Sequence, residues 1–276
     1  MAKGNPKKTR IIIASVLTPI LIIAWVILAY YSLNAINADD RVIPYQTKYI
    51  AHRGYSAKYM ENTSMAFKSA SMEPFFSGIE TDVWRTKDGV FVCSHDVNPF
   101  VDKKIKITEK NFDEISSLPL DTSKIQYKID LTKEYRICTL REYLSICLVS
   151  NKLAIIEIKQ DFDAAQTEEL LMFVKGKISY DKVFFAGFNK QIIERIHTMA
   201  PYYKILVFSY KEQTAYLHAE LGYNVGTSQS ELTDSIIKKA HKNSSYVFVY
   251  TIKDTRTATK FKNMEVDFII CDDVIA

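Results

Sequence analysis

From about residue 47 onward the chain alternates between short apolar, β-rich runs and longer stretches whose apolar positions recur every three or four residues. Residues 49–51, 78–83, 90–94, 153–158, 182–186, 204–208, 224–227, 246–251 and 267–271 read as strands. Near-continuous hydrophobicity is the mark of strands covered on both faces, as in parallel sheets. Between several of them lie helical patterns. Asn62-Thr63 caps a helix that carries Ala66, Phe67 and Ala70 on one face and stops before Pro74. Residues 140–149, 164–174, 190–199, 232–241 and 255–261 read the same way. Strand–helix alternation predicts parallel strands joined by crossover helices, and about eight such units suit a TIM-type β/α barrel better than an open sheet.

The pattern has two irregularities. Lys87-Asp88-Gly89 reads as a tight turn, which makes the second and third runs a hairpin candidate rather than two parallel units. Residues 97–135 are charged and aperiodic, and read as an excursion beside the barrel.

The N-terminal region has a different pattern. Residues 11–31 carry no charge and are mostly Ile, Leu, Val and Ala, long enough at about 1.5 Å per residue to cross a hydrocarbon core of roughly 30 Å. Lys3, Lys7, Lys8 and Arg10 precede it, and Asp39-Asp40 follow. The expected order is a cytoplasmic basic tail (1–10), an uncleaved single-pass transmembrane helix (11–31), a linker (32–47) and an outward-facing barrel (48–276). The run is longer than a cleaved signal's apolar core, and no clear cleavage site follows it.

Composition adds little. The net charge of +4 is accounted for by the basic tail, and the remaining 32 basic residues balance 32 acidic ones, so no nucleic-acid partner is indicated. Cys93, Cys138, Cys147 and Cys271 show no metal spacing. Cys93 and Cys271 sit in apolar runs and read as core, and a Cys138–Cys147 bridge is open in an oxidising compartment.

The candidate chemistry lies at strand ends. The first run leads into His52-Arg53-Gly54, the second carries Glu80 and Asp82, the third leads into His95-Asp96, and the fourth carries Glu157 and runs into Lys159. Residues two apart share a side of a strand, so Glu80 and Asp82 project together, as do Glu157 and Lys159. Barrel active sites form at strand C-termini. Three carboxylates meeting there repel one another unless a cation lies between them, and an all-oxygen ligand set suits Ca²⁺ or Mg²⁺. His197, His218 and His241 lie in helical or loop stretches without acidic companions in sequence and are given no role.

These residues resemble the signature of the glycerophosphodiester phosphodiesterase family. The matching blocks are His52-Arg53-Gly54, Glu61-Asn62-Thr63 with Ala66-Phe67, Gly78-Ile79-Glu80-Thr81-Asp82-Val83, Thr86-Lys87-Asp88-Gly89-Val90 with His95-Asp96, and Ile156-Glu157-Ile158-Lys159. Phe188 is a weaker mark. The resemblance implies a β/α barrel that hydrolyses a glycerophosphodiester to glycerol 3-phosphate and an alcohol. It implies one divalent cation on Glu80, Asp82 and Glu157, His52 and His95 as the acid–base pair, and Arg53 and Lys159 on the substrate. The sequence departs from the family at Met60, where the family usually has Pro, in the loop from Val97 to Asp102, at Tyr250-Thr251, and in the ending Cys271-Asp272-Asp273. The competing expectations are a lysophospholipase D-like or phospholipase D-like enzyme acting on acylated lipids, and a non-catalytic barrel used for binding.

Overall fold

The computed structural model describes residues 46–275 apart from 124 and 126. The chain divides into a unit of residues 1–45 and a compact unit starting at Gln46. The expected transmembrane segment and the tail before it therefore lie outside the described residues. Among the described residues, no helix is long and apolar enough to cross a membrane.

Eight parallel strands close into a barrel: β1 (Lys48–Ala51), β2 (Phe76–Arg85), β5 (Leu153–Ile158), β6 (Val183–Gly187), β7 (Lys204–Ser209), β8 (Asn224–Ser228), β9 (Val247–Ile252) and β10 (Phe268–Cys271). Pairing of β1 with both β10 and β2 completes the ring. The expected hairpin is present: β3 (Phe91–Cys93) runs antiparallel to the end of β2, and a two-residue β4 (Cys138–Thr139) pairs with β3 outside the ring. Helices α1 (Ser64–Met72), α2 (Leu140–Val149), α3 (Ala164–Val174), α4 (Lys190–Met199), α5 (Glu212–Glu220), α6 (Asp234–Lys242) and α7 (Thr255–Asn263) cover the outside. Asn189 and Asp254 accept the first-turn backbone N–H groups of α4 and α7, and Asp163 closes a capping box on α3.

The two-residue period of each strand divides its side chains between two cores. Ala51, Ile79, Ile156, Phe185, Val207, Val249 and Ile269 point outward under the helices. Ile50, Ile155, Phe184, Leu206, Phe248, Phe268 and Ile270 point inward and fill the barrel, with Phe248 and Phe268 stacked at 4.3 Å between centroids. On β2 and β5 the same inward phase continues as Glu80, Asp82 and Glu157. One alternation thus gives an apolar interior and, toward the strand C-termini, an acidic one.

The excursion is more ordered than its sequence pattern indicates. Phe100, Ile107, Ile115, Leu120, Ile129, Tyr135 and Ile137 gather with Val92 into a third apolar cluster, braced by a bridge between Phe100 and Leu120. These residues follow no helical or strand period, so their common burial is invisible to pattern reading. All four cysteines are free and buried. The Cys138–Cys147 bridge left open by the sequence is not made, and β-pairing sets Cys138 opposite Cys93.

Candidate active site

Strand register assembles the acidic group. Parallel pairing of β2 with β5 makes Asp82 and Glu157 direct partners and sets Glu80 two residues earlier on the same face. One oxygen from each of Glu80, Asp82 and Glu157 lies within 4.8 Å of the others. Their residues are only 2%, 0% and 9% exposed. Burial and the charges of Asp82 and Glu157 push Glu80 well above the ordinary carboxylate range. Burial and Asp82 push Glu157 up to about 7, against the pull of Lys159. Burial also works to raise Asp82, but Arg53, Lys159 and His95 overrule it and hold it down. Asp82 Oδ1 is buried without a hydrogen bond, with Lys159 Nζ 3.5 Å away. Three buried carboxylates beside two cations, with one oxygen left over, fit a hard divalent cation bound through oxygen.

The loop after β1 brings in the basic groups. Arg53 adopts a left-handed φ of 55°, and its backbone N–H donates to Glu80 Oε2 at 2.9 Å. Its Nη1 donates to both Glu61 oxygens at 2.9 and 3.0 Å. Its Nε lies 3.1 Å from Asp82 Oδ2 without hydrogen-bond alignment, an attraction of charge rather than a directed bond. Gly54 follows at φ 83°, and a Cβ there would stand 2.7 Å from the Ala66 carbonyl carbon, so only glycine lets the loop lie against α1. Lys159 Nζ donates to Glu157 Oε1 at 2.9 Å.

His52 and His95 line the same cleft as the acidic group. His95 leaves β3 beyond Ser94, and its Nδ1–H donates to Asp96 at 3.0 Å. Burial and the Arg53 charge hold its imidazole below the ordinary histidine value. His52 directly follows the β1–β10 ladder, and its backbone N–H donates to Cys271 O at 2.9 Å. That register brings Asp272 alongside, and the His52 Nδ1–H donates to Asp272 Oδ1 at 2.6 Å. The structure therefore gathers all seven residues singled out in the sequence at one end of the barrel.

Four groups that complete the site were not singled out. Asp272 stood in the sequence only as part of an atypical ending. Asn62, read as part of a helix cap, is 2% exposed and clamps Asp82: its Nδ2 donates to Asp82 Oδ2 at 2.9 Å, and its Oδ1 accepts from Thr81 and from the Asp82 N–H. Thr63 is the cap, accepting from the Ala66 N–H at 3.3 Å. Tyr127 of the excursion donates to Asp272 Oδ2 at 2.8 Å. An aromatic wall of Phe188, Phe208, Tyr210 and Tyr250 borders the carboxylates, with Phe188 and Tyr210 stacked at 4.1 Å. The Asn62 block and Phe188 match family marks in the sequence, Tyr250 and Asp272 stand there only as departures, and Tyr127, Phe208 and Tyr210 carry no mark. Of the histidines left without a role, His218 bonds Ser209 at 3.0 Å and His241 bonds Asp267 at 3.0 Å, both away from the cleft.

Comparison with known proteins agrees with this geometry. The model of the glycerophosphoryl diester phosphodiesterase family matches residues 52–276. An uncharacterised protein of Mycoplasma genitalium is 35% identical over 159 residues, 56% of this chain, and the match spans 64% of that protein's length. A glycerophosphodiester phosphodiesterase of Caldanaerobacter subterraneus is 29% identical over 235 residues, covering 83% of this chain and 95% of the relative. A phosphodiesterase of Oleispira antarctica, solved with the product sn-glycerol-3-phosphate, shares the fold with a TM-score of 0.70 at 21% identity over 82% of this chain and 92% of its own.

Proposed function

The chain belongs to the glycerophosphoryl diester phosphodiesterase family, and from that premise we propose that it hydrolyses glycerophosphodiesters to glycerol 3-phosphate and an alcohol, aided by one divalent cation, Ca²⁺ or Mg²⁺. The observation that carries this reading is the convergence of Glu80, Asp82 and Glu157 within 4.8 Å, flanked by Arg53, His52 and His95 at the strand C-termini. The product bound to the Oleispira relative supports the glycerol 3-phosphate assignment.

Glu80, Asp82 and Glu157 would hold the cation, which when bound supplies positive charge to a phosphate oxygen. Arg53 and Lys159 add fixed charge for the remaining phosphate oxygens or the glycerol hydroxyls. Attack by the glycerol 2-hydroxyl on phosphorus is internal to the substrate and gains from proximity. The His95 imidazole, kept neutral near pH 7 by its surroundings, is suited to take the hydroxyl proton. His52, its Nδ1–H held by Asp272, presents Nε2 to the departing alkoxide and completes the second proton transfer. Water then opens the cyclic phosphate by the reverse pair of transfers, His52 taking the water proton and His95 returning its proton to the glycerol 2-oxygen.

The test is release of glycerol 3-phosphate by the full chain from a panel of glycerophosphodiesters with Ca²⁺, Mg²⁺ or Mn²⁺. Absence of release under every metal would overturn the reading. The aromatic wall beside the carboxylates favours a second reading in which the glycerol carries an acyl chain. Faster turnover of a lysophospholipid than of its deacylated counterpart would establish that one. The apolar run at 11–31 supports placement in a membrane with the barrel outside, which protease digestion of intact cells tests.

A further inference from the structure

The cleft has two lobes that share His52, Arg53, His95 and Thr251. One, of about 280 Å³, contains the carboxylates Glu80 and Glu157 and the aromatic wall. The other, of about 350 Å³, is roofed by the excursion, with Pro99, Lys103, Leu120, Asp121 and Tyr127 on its lining. A diester whose phosphate lies at the shared residues, with its glycerol beside the carboxylates, directs its other substituent under the excursion. Resting on the phosphodiesterase reading above, we propose that this second lobe is the subsite for the leaving alcohol, that it takes a polyhydroxy alcohol, and that Tyr127 is a positioning residue for His52 acting through Asp272.

The positioning follows from how Asp272 is held. Its residue is 7% exposed, and both of its oxygens are engaged. Oδ1 accepts from His52 Nδ1 at 2.6 Å and from Ser56 Oγ at 3.2 Å. Oδ2 accepts from Tyr127 at 2.8 Å. A carboxylate tied at one oxygen still turns about its own axis, whereas one tied at both has its plane fixed, and the imidazole bonded to it is fixed as well. Tyr127 is the only Oδ2 donor among the described residues, and it comes from the segment that covers the lobe. A group entering the lobe therefore meets the same tyrosine that sets the geometry of His52.

The alcohol class follows from the lining. Lys103 and Asp121 pair at 2.8 Å, and Ser56, Ser94 and Thr251 add hydroxyl groups. Paired charges and mixed donors and acceptors suit a polyol. A quaternary ammonium prefers an aromatic box, and among the described residues Tyr127 supplies the only phenyl or indole ring on the lining.

The experiment uses the full chain in detergent with glycerophosphoglycerol, glycerophosphoinositol and glycerophosphocholine. Tyr127→Phe keeps the half-buried ring and removes only the donor. It is expected to lower kcat about tenfold with KM within about twofold, and Asp272→Asn to lower kcat by about a hundredfold or more. The double variant is expected to match Asp272→Asn alone, because one acts through the other. Losses that multiply, a wild-type kcat for Tyr127→Phe, or preference for the choline ester over both polyol esters would overturn the proposal. A readout independent of turnover is the ¹⁵N spectrum of histidine-labelled protein. Tyr127→Phe should move the His52 ring signals and leave those of His241 in place, and unmoved His52 signals would refute the coupling. If the wild type cleaves no diester, the phosphodiesterase reading falls, and the spectrum still decides whether Tyr127 positions His52.

Discussion

Glu80, Asp82 and Glu157 present more negative charge than Arg53 and Lys159 neutralise, and the excess sets how the protein responds to metal and pH. Glu157, displaced upward to about 7, holds a proton in the metal-free protein that it would not hold when unfolded. A carboxyl raised on folding contributes stability below its unfolded value near about 4.3 and loses it as pH rises through the folded value. A cation bound by these carboxylates would displace the same proton. The rise in Tm on adding Ca²⁺ or Mg²⁺ should therefore grow between about pH 5.5 and pH 7.5, measured by thermal melts with metal and with chelator; a pH-independent rise would count against ligation by these groups. Glu80→Gln should weaken metal binding by about a hundredfold or more, read by titration calorimetry. His95→Ala should cut kcat by about 10²- to 10⁴-fold while leaving the metal-induced Tm shift intact, which separates proton transfer from ligation.

Individual elements were legible in the sequence to the extent that burial left a period. The barrel strands announced themselves as apolar runs, and inward-facing polar residues broke that pattern at Glu80, Asp82 and Glu157. The turn at Lys87-Asp88-Gly89 marked the hairpin. The two-residue β4 left no pattern, and the excursion's apolar residues pack through an irregular path that no period describes. The cap expected at Asn62-Thr63 is made by Thr63, and tertiary structure turns Asn62 toward Asp82, a contact that its place before a helix does not signal. Asn62→Ala would leave a buried carboxylate short of its donor. It should cost about 1–3 kcal/mol in denaturant unfolding and weaken metal binding in the same variant.

For the molecule as a whole, the contact that most eluded sequence reading is the one that closes the ring. His52 and Asp272 lie 220 residues apart and meet only because β1 pairs with β10. Nothing local to either residue signals the pair, so the seven residues legible in the sequence lack the carboxylate that bonds the His52 ring. The pair also ties stability to acid. Burial alone would raise Asp272, but His52, Tyr127 and Ser56 hold it below the ordinary range. A carboxylate depressed in this way contributes stability above its unfolded value near about 3.9 and loses it as pH falls through the folded value. Acid unfolding of Asp272→Asn should accordingly begin less steeply below about pH 4 than that of the wild type, as followed by circular dichroism.

The excursion leaves the barrel after β3 and returns in β4, and those two strands are stitched side by side through Val92 with Thr139 and Cys93 with Cys138. Its departure and arrival are thus a single attachment point, and none of the eight ring strands passes through it. Such a segment lends itself to exchange as a cassette: a replacement that keeps the packing on Val92 and Trp84 is expected to leave the stagger of the ring and the places of Glu80, Asp82 and Glu157 unchanged. What an exchanged segment must bring with it is a hydroxyl donor where Tyr127 stands, and a graft that supplies new walls without one would alter which alcohol fits while leaving His52 slack.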